Sequence, residues 1–92
     1  MIKSFKHKGL ERFFRTGDKS GIQANHAKRL QQQLTALNQA TSPQDMNLPN
    51  WKLHKLTGNL REHYAVTVNA NWRLTFIFNG KDVEIVNYQD YH

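Results

Sequence analysis

Apolar positions along this chain recur with two different periods, and the change of period divides it. From Asn71 to Phe78, Trp72, Leu74, Phe76 and Phe78 alternate with Arg73, Thr75 and Ile77. That is the period-two pattern of a strand with one buried face. Asn79-Gly80 is a tight hairpin signal, and Asp82 to Tyr88 reads as the returning strand. Upstream, Tyr64, Val66 and Val68 alternate with Ala65 and Thr67, and Asn69-Ala70-Asn71 turns that strand into the next. A further strand is expected over Trp51-Lys52-Leu53-His54-Lys55-Leu56, broken by Thr57-Gly58-Asn59.

The first half follows a helical period. Leu10, Phe13 and Phe14 are spaced for one helix face, and Thr16-Gly17-Asp18 ends that helix, glycine being suited to a left-handed stop. A second helix is expected from about Gln23 to Asn38, with Ala27, Leu30, Leu34 and Leu37 as its apolar stripe and Lys28, Arg29 and Gln31 to Gln33 facing water. His7 and His26 read as surface histidines. Ser42-Pro43-Gln44-Asp45 is a helix-start signature closed by Asn47-Leu48-Pro49-Asn50. Ile2 to Phe5 is short and compatible with a strand. Helices grouped before an antiparallel sheet imply an α+β fold: a small antiparallel-rich sheet with two N-terminal helices packed on one face. The other face would then present Arg73 and Thr75. No repeat or linker divides residues 1–92, which read as one domain.

Composition narrows the functional classes. Residues 1–50 hold eight lysines and arginines against three acids, residues 51–92 five against four, for a formal charge of +6. A basic half attracts polyanions, nucleic acid first and an acidic protein surface second. Cysteine is absent, which excludes disulfides and thiolate metal sites and fits a reducing cytoplasm. No apolar run approaches the ~20 residues that cross a bilayer, so no membrane role is expected. The basic start, Met1 to Lys8, lacks the apolar stretch of a secretory leader.

The candidate chemistry lies in His54, Arg73, Asp90, Tyr91 and His92. Cutting RNA through its own 2′-hydroxyl requires a base for that proton, an acid for the departing 5′-oxygen and a cation for the phosphorane. Histidine suits either proton role, with an unperturbed pKa of about 6.5. Arginine matches phosphate oxygens bidentately and keeps its charge. No metal or other cofactor is implied, because the five histidines form no ligand pair at i, i+4 and the acids are scattered. Each residue also fits a plainer role. His54 between Lys52 and Lys55 suits an edge strand, Arg73 suits a cross-strand pair with Glu84, and Asp90-Tyr91-His92 suits a frayed end. Those roles would leave a non-catalytic module that binds RNA or DNA, or a protein-interaction domain.

Leu53-His54-Lys55-Leu56-Thr57-Gly58, Tyr64 to Asn69, Asn71-Trp72-Arg73-Leu74-Thr75-Phe76, Val83 to Tyr88 and the closing Asp90-Tyr91-His92 together resemble the HigB toxins of the RelE-like superfamily, from bacterial type II toxin–antitoxin systems. The opening Met1 to Phe5 and Ala40-Thr41-Ser42 extend the resemblance over essentially the whole chain. It implies a RelE-like fold and a ribosome-dependent endoribonuclease that cuts mRNA in the A site and inhibits translation. By position in these motifs, His54, Asp90, Tyr91 and His92 fall where HigB toxins carry their catalytic set, and Arg73 where the superfamily places a phosphate-stabilising arginine. His92 is expected to be the principal acid/base and His54 its partner. Asp90 would hold or tune a histidine, and Tyr91 would orient the nucleotide. Lys52, Lys55, Arg61 and Asn71 are the expected RNA contacts. One departure is Thr57, where relatives often carry lysine, with Lys55 or Lys52 as the available replacement. The implied partners are the 70S ribosome with its mRNA and a HigA-type helix-turn-helix antitoxin, operator DNA being reached only through the antitoxin complex.

Overall fold

The computed structural model describes residues 1–58 and 62–91. Helix α1, Lys8–Thr16, starts where His7 Nδ1 accepts the Leu10 amide at 2.9 Å. It stops at Gly17, whose φ of 82° lets its amide return to the Phe13 carbonyl at 2.8 Å. A 3₁₀ turn, Ala24–His26, leads into α2, Ala27–Gln39, and a second, Pro43–Met46, is closed by a Ser42/Asp45 capping box. Four strands follow: β1 (His54–Lys55), β2 (Tyr64–Asn69), β3 (Trp72–Asn79) and β4 (Asp82–Asp90). They form an antiparallel meander in the order β1-β2-β3-β4. The arrangement is α+β, as the change of period implies.

Burial explains the layering. Leu10 and Phe13 of α1 and Leu30, Leu34 and Leu37 of α2 join Val66, Val68, Leu74, Phe76, Val83, Val86 and Tyr88 of the sheet in one apolar cluster. Removing a fully covered leucine from such a cluster costs about 2–5 kcal/mol. Along β2 and β3 the cluster takes alternate residues, so Ala65, Thr67, Arg73 and Thr75 point to the face away from the helices. The N-terminal segment then seals the free edge of β4. Ile2 and Phe5 make parallel bridges to Val83 and Val86, and the Lys3 and Lys6 amides donate to the carbonyls of those same residues at 2.7 and 2.8 Å. A covered edge cannot recruit another chain's strand.

Three expectations change. The strand expected over Trp51–Leu56 is only two residues long. Asn50 and Lys52 have φ of 72° and 53°, and the chain is extended only from His54. His26 is 4% exposed rather than on the surface, and its Nδ1 lies 2.6 Å from the Tyr88 hydroxyl. Gln33 does not face water: it is fully buried and donates from Nε2 to the Thr67 carbonyl at 2.8 Å, tying α2 to β2. In both cases a distant polar group partners the buried nitrogen, while Gln33 Oε1 stays buried without a hydrogen-bond partner among the described residues.

Candidate active site

The pairing register lays out the helix-free face. His54 opposes Ala65, Ala65 opposes Thr75, and Thr75 opposes Asn87, making one row across all four strands. Thr67, Arg73 and Gln89 make the neighbouring row. His54 and Arg73 thus stand two strands and two residues apart, a Cα separation of about 12 Å from the usual strand spacing and rise. Two long side chains at that distance can flank one phosphodiester. Ala65 and Thr75 between them are small and buried.

Arg73 is partly buried, and its guanidinium folds back onto the turn between β2 and β3. Its Nη1 donates to the carbonyls of Ala70 at 2.8 Å and Trp72 at 3.2 Å. The cross-strand pair with Glu84 is not formed. A bulge at Ile85, where φ is 56°, puts Glu84 opposite Ile77, and Glu84 accepts from Asn79 Nδ2 at 3.3 Å instead. Three of the five Arg73 donors are left outside these two bonds, in the fork geometry that suits an anion.

The same turn fixes the chain's end. Tyr91 donates its amide to the Asn71 carbonyl at 2.8 Å and is partly buried, so the ladder continues one residue beyond β4. Fraying therefore does not begin before Tyr91. Trp72 opposes Asp90, which puts Asp90 on the side of Trp72 and Tyr88, whereas alternation carries Gln89 and Tyr91 to the side of Arg73. Asn71 is exposed at this turn. His92, the expected principal acid/base, and Arg61, an expected RNA contact, lie outside the described residues.

Across the sheet, His54 is exposed at the edge, and its Nδ1 lies 2.9 Å from the Lys52 carbonyl. Lys55 is exposed, with its ammonium 5.9 Å from the centre of the Tyr64 ring, and Lys52 is exposed beside it. Thr57 is exposed next to them. Hollows against the helices are lined by Phe13, Phe14 and Leu34 and, near Trp51, by Gln32, Ala36 and Leu48. Neither touches the His54 or Arg73 rows. What the sheet offers is a surface with cationic and imidazole groups at its margins, fit for a long polyanion held by its backbone.

Behind that surface is a polar cluster that periodicity did not reveal. The Trp72 and Tyr88 rings stack at 4.5 Å, His26 meets both edge-on, and His7 meets Tyr88 at 5.4 Å. Burial lowers the pKa of His26, and of His7 against the opposing effect of its own backbone hydrogen bond. Burial also raises the Tyr88 phenol, opposed by the Gln23 amide and reinforced by the charge of Asp90. A neutral phenol therefore sits against a neutral imidazole, with the Tyr88 hydroxyl 2.6 Å from His26 Nδ1, and the phenol oxygen accepts the Gln23 amide at 3.4 Å. Nothing in the sequence marks it, because Trp72 and Tyr88 fit an ordinary core stripe and the two histidines lie more than 40 residues from either ring.

Comparison with known proteins gives the family. Residues 3–92 match the HigB-like toxin family, described as the RelE-like toxin of type II toxin–antitoxin system HigB. A Proteus vulgaris protein, endoribonuclease HigB, is 46% identical over 92 residues, covering the whole of both chains.

Proposed function

The chain belongs to the HigB-like family of RelE-like toxins of type II toxin–antitoxin systems, and from that premise we propose that its endoribonuclease activity cuts mRNA in the ribosomal A site. The reaction is a metal-free transesterification, in which the 2′-hydroxyl attacks the adjacent phosphate and the 5′-oxygen leaves. Arg73 steadies the phosphorane, and His92 and His54 share the proton work, with His92 the principal acid/base. Asp90 holds or tunes a histidine from the far side of β4, and Tyr91 orients the nucleotide. Lys52, Lys55, Arg61 and Asn71 contact the RNA backbone.

The observation that carries this reading is the turn from Asn69 to Asn71. It receives the Arg73 guanidinium through Ala70 and the Tyr91 amide through Asn71, so Arg73 and Tyr91 are held by one turn, which supports their acting on one phosphate. So sparse a set of groups benefits from a substrate already splayed and aligned, which the ribosome provides. A HigA-type antitoxin holds the toxin in check.

Programmed ribosomes carrying a defined A-site codon test it. The wild-type chain should cut that codon, while His92→Ala and a chain lacking Tyr91-His92 should be slower by roughly 10²-fold or more. Cleavage by the truncated chain at the wild-type rate would remove the terminus from the mechanism.

A further inference from the structure

The backbone before His54 is strained on both sides of an anchor. Trp51 buries its indole in the core, and its carbonyl accepts the Thr67 amide at 2.7 Å, so this residue is fixed to β2. Its neighbours Asn50 and Lys52 both stand in the left-handed region, with φ of 72° and 53°. A non-glycine residue there costs on the order of 1 kcal/mol or more. Asparagine tolerates the region through its short polar side chain, but lysine has no such relief. The structural result of the Lys52 conformation is the placement of its carbonyl, 2.9 Å from His54 Nδ1.

That contact has only one sense. A carbonyl oxygen accepts and never donates, so Nδ1 carries the proton. In the neutral ring Nε2 is then left with a lone pair and no proton. His54 is exposed, and a bound RNA can reach that nitrogen.

We propose that Lys52 is a positioning residue whose left-handed backbone holds His54 in the Nδ1–H tautomer, making His54 Nε2 the base of the cleavage. This rests on the endoribonuclease reading above and gives its proton flow a direction. Nε2 takes the proton of the 2′-hydroxyl as the 2′-oxygen forms its bond to phosphorus. The bond from phosphorus to the 5′-oxygen then breaks, and that oxygen leaves with a proton from the second proton-transfer group of the proposed set, His92. The products are a 2′,3′-cyclic phosphate and a 5′-hydroxyl. The imidazolium formed at His54 keeps its bond to the Lys52 carbonyl, now charge-assisted and stronger.

Nitrogen NMR of the RNA-free full-length chain, labelled in histidine, reads the tautomer without any cleavage. His54 should show a protonated Nδ1 and a bare Nε2; the reverse tautomer would overturn the proposal. Single-turnover cleavage on programmed ribosomes then separates base from acid. The mRNA carries either the ordinary 5′-oxygen or a bridging 5′-sulfur at the cut bond, and a thiolate leaves without needing a proton. His54→Ala should lose roughly 10²-fold or more on both linkages. Recovery of the wild-type rate on the sulfur linkage would make His54 the acid instead.

Lys52→Gly and Lys52→Val remove the same ammonium, but only glycine settles into the left-handed region without strain. Lys52→Val should therefore cut about tenfold more slowly than Lys52→Gly at saturating ribosomes, with a mixed His54 tautomer. Equal rates would contradict a backbone role for Lys52. A wild-type chain that cuts neither linkage would overturn the proposed function along with this assignment, whereas a cutting wild type with sulfur rescue overturns the assignment alone.

Discussion

His26 is stable inside this molecule because the Tyr88 hydroxyl, 62 positions away in sequence, reaches its Nδ1 at 2.6 Å. Tyr88→Phe keeps the stack on Trp72 but leaves a buried nitrogen without a partner. The expected cost is about 1–3 kcal/mol. At roughly 4–8 °C per kcal/mol for a chain of this size, thermal unfolding should shift measurably downward. The same cluster sets an acid sensitivity. The unfolded chain protonates His26 and His7 from about pH 6.5 downward, whereas burial keeps both rings neutral to lower pH in the folded chain. Across that window the unfolded state binds more protons, so stability falls as pH falls and levels off below the folded-state values. Denaturant midpoints at neutral pH and at about pH 5 should show the loss, and His26→Leu should reduce its slope. Equal midpoints for the wild-type chain would contradict it. Neither His26 nor Gln33 was legible as buried in the sequence. Helical periodicity sorts residues by polarity, and a polar residue whose partner comes from a strand looks like one that faces water.

At the scale of elements, the sheet's meander was legible because Asn79-Gly80 and the alternation of β3 are local signals. The faces of β4 were not. The bulge at Ile85 resets the alternation, so Val83 and then Val86 and Tyr88 face the helices, and Asp90 follows Tyr88 to that side. A strand read without the bulge would have put Gln89 and Tyr91 on the covered face, away from Arg73. The Trp51–Leu56 strand was overread for a related reason, since nothing in the residue types announces left-handed Asn50 and Lys52. Helix α1 carries a separate constraint at Gly9. Replacing a helical glycine with alanine ordinarily gains about 1 kcal/mol, but a Cβ here would lie 2.6 Å from the Gly21 carbonyl oxygen. Gly9→Ala should instead destabilise by about 1–3 kcal/mol, read as a lower urea midpoint at unchanged slope. A raised midpoint would show that the α1 contact with the Gly21 loop gives way easily.

For the molecule as a whole, the proposed activity rests on the layering: helices cover one side of the sheet, and the proposed RNA surface is the other. The candidate set was legible as residue types and order, because the resemblance in Leu53–Gly58, Asn71–Phe76 and Asp90–His92 is itself a sequence property. The distribution of that set over the two sides of β4, and the attachment of Arg73 and Tyr91 to one turn, depend on register and could not be read from residue order. Among the described residues no helix is long and apolar enough to cross a membrane. Expression of the chain should arrest growth, and co-expression of its antitoxin should restore it.

The most direct test is the single-turnover cutting of an A-site codon by Arg73→Ala, with folding checked by circular dichroism and ribosome binding checked by co-sedimentation. Loss of roughly 10²–10³-fold in rate, with fold and binding retained, is the predicted result for a guanidinium that stabilises the phosphorane. A folded, ribosome-bound Arg73→Ala chain that cuts at the wild-type rate would contradict the account.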